Sequence, residues 1–245
     1  MEFANPMTEE LFRHDGYLRS CEATVREVRP DGIVLDRTVF YYESGGQPGD
    51  SGRLVRAGDA AASVSVGIVD TKRDKATGAI LHVPQPGAPA LAPGDTVLAE
   101  IDWDRRHRHM RMHTCLHLLC AVVPGQVTGG QIAADKGRLD FAVDAAALDK
   151  AHIEAELNRL VREDHAVTPA WITDEELAAK PDLVRTMSVK PPSGHGKVRL
   201  LEIPGVDLQP CGGTHVRRTG EIGPVAVAKI ENKGKQNRRV VVQFA

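Results

Sequence analysis

The sequence predicts an α+β fold, with a small β-barrel in its N-terminal part and an α+β domain after it. Three observations carry this. The first hundred residues hold several short strand-like runs and no long helical one. After Trp103 the apolar pattern becomes helical. Strand pattern then returns at Val198–Ile203, Val225–Ile230 and Arg239–Phe244. The boundary is expected near residue 100, giving a barrel domain over 1–100 and a second domain over 101–245.

Each element has a local reason. Ala23–Val28 and Ile33–Leu35 flank Arg29-Pro30-Asp31-Gly32, a turn in which proline presets φ and glycine accepts a positive one. Ser63–Asp70 alternates, with Val64, Val66 and Ile68 on one face. Ile80–Val83 and Thr96–Ile101 are further strands, separated by a Pro/Gly-rich loop from Pro84 to Gly94. Asp104 is placed to cap a helix over Arg105–Val123, which Pro124-Gly125 stops. Met112, Leu116, Leu119, Cys120 and Val123 share one face of it. A second helix is expected over Ala145–Glu163, with Ile153, Leu157, Leu160 and Val161 at helical spacing. Thr173 and Glu176 form a capping box for a short helix that ends before Pro181.

Composition narrows the function classes. The 245 residues are 42% hydrophobic and 26% charged, so a real core can form; aromatics are only 4%, so it must rest on Val, Leu, Ile and Ala. A net charge of −2 argues against a protein that coats nucleic acid over its whole surface. Local basic runs remain: Arg105-Arg106-His107-Arg108-His109 with Arg111, and Lys229, Lys233, Lys235, Arg238 and Arg239. Each run reads either as phosphate contacts or as a solvated helix face and strand edge. The four cysteines lack a disulfide-framework spacing and suit free thiols in a reducing compartment, with some available to metal. The N-terminus has no signal pattern and no apolar run reaches membrane length. A cytoplasmic protein is expected, with no membrane association and no obligate protein partner.

The chemistry concentrates in two short segments. His113-Thr-Cys-Leu-His117 places two imidazoles one turn apart on one helix face, near the core. His109 and His113 have the same relation, so a competing pair exists. In Cys211-Gly-Gly-Thr-His215 a thiolate and an imidazole lie five residues apart, and the glycines permit tight folding. Either segment alone reads as ordinary buried or surface residues. Together, His113, His117, Cys211 and His215 make a four-ligand set suited to zinc. Thr114 stands where a zinc protease of the His-Glu-x-x-His type carries its general base, so a bond more labile than a peptide, such as an ester, is the expected target.

Those segments, with Arg111–Leu119, Cys211–Val216, Thr219-Gly-Glu-Ile-Gly223 and Phe40-Tyr-Tyr-Glu-Ser-Gly-Gly-Gln-Pro-Gly-Asp-Ser-Gly52, resemble in order and spacing the editing domain of alanyl-tRNA synthetase. The chain is similar to the AlaX family, the freestanding relatives of that domain. The resemblance implies a barrel followed by a zinc-containing α+β editing domain of the threonyl/alanyl-tRNA synthetase type. It implies zinc on His113, His117, Cys211 and His215, and deacylation of serine from mischarged tRNA(Ala), with glycine a second target. The chain departs from the pattern at Tyr42–Gly46, at Leu116 and at Gln131–Ala134. These departures suit a freestanding form.

To spare alanine, such a site must present a polar group to the serine hydroxyl. Gln131, in the expected loop Thr128–Gln131, is the first candidate; Thr38 and Gln47 are next, and each also reads as a polar loop residue satisfying local backbone. Asp207 could orient a zinc histidine. Lys233, Lys235, Arg238 and Arg239 are the expected tRNA contacts. Four protein ligands fill a tetrahedral zinc, the pattern of a structural site. A non-catalytic, zinc-clamped module that binds the tRNA acceptor stem is therefore the alternative, and a zinc hydrolase of small esters or amides a third reading.

Overall fold

Alternation of apolar and polar residues builds the N-terminal barrel. In the computed structural model, which describes residues 8–56, 64–144, 148–185 and 196–245, the chain divides into two units. One comprises residues up to Ser44 together with Pro48–His107; the other comprises Gly45–Gln47 and Arg108–Ala245.

In the first unit, β1 (Glu9–Glu10) precedes β2 (Ser20–Arg29), β3 (Gly32–Leu35), β4 (Arg37–Thr38), β5 (Gly52–Arg56), β6 (Val64–Arg73), β7 (Ile80–Pro84) and β8 (Thr96–Ile101). Six of them close a barrel in the order β2-β3-β7-β6-β5-β8, while β1 pairs with β4. The two-residue period sends Ala23, Val25, Leu54, Val66, Ile68, Val97 and Ala99 inward, where they pack with Leu35 and Phe40. The expected strands are present. Ser63, the expected start of β6, lies outside the described residues. β5, a short strand, is an addition to the expectation.

Arg106 is completely buried in this unit, where its guanidinium forms an ion pair with the equally buried Asp50. It also donates to the carbonyls of Val39 (2.6 Å) and Gly16 (3.0 Å). Such a charge is tolerable only because its donors are matched. Arg105 donates to the Gly49 carbonyl at 3.2 Å.

α1 (Trp103–Val122) runs on into the second unit. Its first turn is capped by Asp102, whose carboxylate accepts from the Arg105 amide at 3.0 Å, rather than by the expected Asp104. From Met112 to Cys120 every residue is buried. Over that stretch the single apolar face expected is instead a helix segment buried on every side, which suits its mixture of apolar and imidazole side chains.

The second unit continues with β9 (Gln126–Ile132), β10 (Lys136–Ala142), α2 (Lys150–Arg162), β11 (Thr168–Thr173), α3 (Asp174–Ala178), β12 (Lys197–Ile203), β13 (Asp207–Pro210), β14 (Val225–Gly234) and β15 (Asn237–Phe244). One antiparallel sheet has the order β14-β15-β10-β9, and a second the order β11-β12-β13. β9 corrects the expected loop at Thr128–Gln131: that stretch pairs with β10 despite its two glycines, because the ladder partner supplies the order that local propensity lacks. α2 starts after Asp149, which accepts from the amides of Ala151 and His152. Residues 145–147 of the expected helix lie outside the described residues. Asn158 of α2 bonds both backbone groups of Val225, and Glu154 accepts from Val227, which ties the helix to β14. The Thr173/Glu176 capping box of α3 is present as expected. Among the described residues no helix is long and apolar enough to cross a membrane.

Candidate metal centre

His113 and His117 of α1 meet Cys211 and His215 from the turn after β13, with all four ligand atoms within 4.8 Å of one another. Cys211 Sγ lies 3.5 Å from His113 Nε2 and 3.2 Å from His215 Nε2. His109, the competing partner of His113, is not in this cluster.

Each imidazole is fixed by its other nitrogen. His117 Nδ1 donates to Asp207 at 2.8 Å, and Gln209 holds that carboxylate with bonds to both oxygens. His113 Nδ1 donates to Gln47 Oε1 at 2.8 Å. His215 Nδ1 faces Thr114 Oγ1 at 3.3 Å; that hydroxyl donates to the Met110 carbonyl and so accepts from the ring. All three rings therefore carry hydrogen on Nδ1 and turn Nε2 toward the sulfur, the arrangement that fixes ring orientation and raises ligand basicity.

The electrostatics agree. Burial alone would raise the Cys211 thiol, but the imidazoles of His113 and His215 hold it well below its ordinary range. Burial, with His113 close by, keeps His215 well below the usual imidazole value and so neutral. Burial also acts downward on His117, but the bonds to Asp207 and Cys211 outweigh it and raise the ring to about 10. A thiolate and basic imidazoles converging on one point form a donor set for a divalent metal ion.

Two glycine features shape the centre. Gly46 sits at φ +83, a conformation that side chains disfavour, and its carbonyl accepts from the Ile132 amide at 2.9 Å. This turn delivers Gln47, fully buried, to His113 and to Thr214, whose hydroxyl accepts from Gln47 Nε2 at 2.8 Å. A Cβ on Gly213 would lie 2.2 Å from His113 Cε1, so only glycine lets the ring pass.

The other expected contacts are distributed differently. Gln47 joins the centre through His113 and has both ends of its amide occupied. Gln131 is exposed on β9 and accepts from Arg138 at 3.3 Å. Thr38 is buried in the barrel unit, donating to His82 Nε2 at 2.8 Å and accepting from the Phe40 amide. On the β14–β15 hairpin Lys235 is exposed and Lys233 pairs with Glu231 at 3.5 Å. Arg238 bonds Asn232 and the Gly234 carbonyl, and Arg239 grips Asp140 with two bonds. The earlier basic run is also largely occupied: Arg108 pairs with Asp135, and Arg111 donates to the Ile222 carbonyl and lies over the Phe244 ring. Sequence reasoning missed Gln209 and the bonding role of Thr114, which no pattern marks. Asp207 was accessible as an acid four residues before a ligand cysteine.

The fold and centre define an editing-type domain of the kind appended to threonyl and alanyl synthetases. The family described as "Threonyl and Alanyl tRNA synthetase second additional domain" matches residues 198–241, and "tRNA synthetases class II (A)" matches residues 13–105. The chain is 42% identical to an alanyl-tRNA editing protein AlaX-M of Methanosarcina acetivorans, over 96% of this chain and 98% of that protein. It is 35% identical to an AlaX-M protein of Saccharolobus solfataricus, again over 96% and 98%. An alanine–tRNA ligase of Saccharolobus islandicus is 33% identical over 91% of this chain but only 25% of the ligase. The chain belongs to the AlaX family of alanyl-tRNA editing proteins.

Proposed function

We propose that this protein is a zinc-dependent aminoacyl-tRNA hydrolase that acts in trans, removing serine, and secondarily glycine, from mischarged tRNA(Ala) while sparing Ala-tRNA(Ala). The observation that carries the reading is the convergence of three Nε2 atoms and one Sγ with every Nδ1 held from behind. A tetrahedral zinc has ligands separated by about 3.3–3.6 Å, and the sulfur lies 3.2 and 3.5 Å from two of the nitrogens. Family membership and the likeness to part of an alanine–tRNA ligase support the substrate class. The proposed division of labour follows the expected boundary, with a barrel domain over 1–100 and a zinc-binding editing domain over 101–245.

In this reading His113, His117, Cys211 and His215 hold zinc, which supplies charge to polarise or position the ester when bound. Gln47, Thr114 and Asp207 keep the imidazoles aligned. Gln131 is the proposed contact for the serine hydroxyl; Thr38, buried with its hydroxyl committed to His82 and the Phe40 amide, is not available for it, and Gln47, occupied at both ends, contributes through His113. Lys233, Lys235, Arg238 and Arg239 are the proposed tRNA contacts. The full set of four protein donors favours a second reading, a zinc-clamped module that binds the acceptor stem without cleaving it.

Purified protein incubated with Ser-tRNA(Ala) and Ala-tRNA(Ala) decides between them. The expected result is release of serine well above the uncatalysed rate, little release of alanine, and loss of activity and bound zinc in Cys211→Ala. Serine release no faster than in buffer defeats the hydrolase reading. Retained tRNA binding, with unfolding on chelation, would then establish the clamp.

A further inference from the structure

Trp171 is a large aromatic residue that the proposed site has not used. It lies on β11 with 46% of its surface exposed, although indole rings are usually well covered. Register explains its relation to the metal centre. Trp171 stands directly opposite Arg199 on β12, and the Cys211 amide bonds the Arg199 carbonyl at 3.1 Å, so Cys211 continues the ladder on the other side. Directly opposed residues point to the same face of a sheet. Trp171, Arg199 and Cys211 therefore form one cross-strand row, with the backbones of Trp171 and the cluster cysteine about 10 Å apart, two strand spacings.

The face combines this exposed indole with two cations. Arg199 Nη1 donates to the carbonyls of Cys211 (2.8 Å) and Gly213 (3.0 Å), which fixes a cation between the indole and the cluster. Lys197, exposed and paired with Thr173, projects from the same face one step along the strand. Of the strand residues on that face the one carboxylate, Asp207, is buried against His117. An exposed aromatic beside cations is a usual platform for an unpaired base.

We infer that Trp171 is the stacking platform for the 3′-terminal base of the RNA whose ester this centre receives. The inference rests on the proposed hydrolase reading for the identity of the RNA, but stacking itself needs only binding.

The test uses the full chain with Trp103→Phe, which leaves Trp171 as the sole indole. An uncharged acceptor-stem minihelix ending in an unpaired CCA should quench its fluorescence, and the same RNA with an abasic terminal nucleotide should not. In deacylation assays Trp171→Ala should raise KM for Ser-tRNA(Ala) roughly ten-fold with kcat little changed, and Trp171→Phe should restore most of it. Unchanged thermal unfolding of the variants excludes a folding defect. Equal quenching by both RNAs, or none while the RNA binds, overturns the inference, as does an unchanged KM in Trp171→Ala. If wild-type protein fails to deacylate yet the quench depends on the terminal base, the hydrolase reading falls and the stacking stands.

Discussion

Gly213 has no room for a side chain, because a Cβ there would lie 2.2 Å from His113 Cε1 and 2.5 Å from Nδ1. The ring cannot yield without leaving either Gln47 or the ligand cluster, since its two nitrogens are committed to those partners. Gly213→Ala is therefore expected to lower bound metal below half-occupancy while circular dichroism stays native, as read by elemental analysis of the purified variant. Full metal content would mean that the loop shifts instead. At this scale the sequence revealed residue types more readily than roles. Cys211 and His215 stood out by spacing, whereas Thr114 drew notice only for not being a glutamate. Its hydroxyl acts on a ring 101 residues away, a relation without local signature.

His82 shows what an element asks of one side chain. Fully buried on β7, it donates from Nδ1 to the Ile33 carbonyl of β3 and accepts at Nε2 from Thr38 of β4, binding three strands. Burial pushes its pKa down to about 4, against the opposing effect of the Ile33 carbonyl. The folded value lies below the unfolded one, so the unfolded chain takes up the proton first as pH falls. The stabilisation is complete above about pH 6.5 and is lost progressively toward pH 4, on the order of 3 kcal/mol at most. Urea unfolding at pH 7 and pH 5 should show a steeper loss of stability in the wild type than in His82→Gln. Parallel losses would remove His82 as the cause. Strands with clean alternation, such as β6 and β8, were legible in advance. β9 was not, because Gly129 and Gly130 read as a loop until β10 supplies the pairing. α1 was legible as a helix but not as one buried on every side from Met112 to Cys120, since burial on its polar face depends on partners far along the chain.

For the molecule as a whole, charge decides how it meets a polyanion. A net charge of −2 means any attraction is local, and much of the basic surface is internally neutralised. Arg106 is buried with Asp50, Arg108 pairs with Asp135, and Arg239 is held by Asp140. On the β14–β15 hairpin, Lys235 and the weakly paired Lys233 are the cations most available to phosphate. Each of Lys233→Ala and Lys235→Ala is expected to weaken tRNA binding uniformly across sequences and to reduce the slope of log affinity against log salt by about 1. Filter binding across a salt series measures this. A slope unchanged in both variants would move the phosphate path away from the hairpin.

By itself the sequence indicated the class of fold, the helix that carries two of the four proposed donors and the residue types of all four, with His109 left as a competitor. Those depend on short-range periodicity and on residue chemistry, which are local. Only the tertiary structure decided that His117 rather than His109 joins His113, which nitrogen of each ring faces the cluster, and which basic side chains are spent on internal carboxylates. Each of these is set by a contact between segments distant in the chain, where backbone register and burial select one partner among several of equal chemistry.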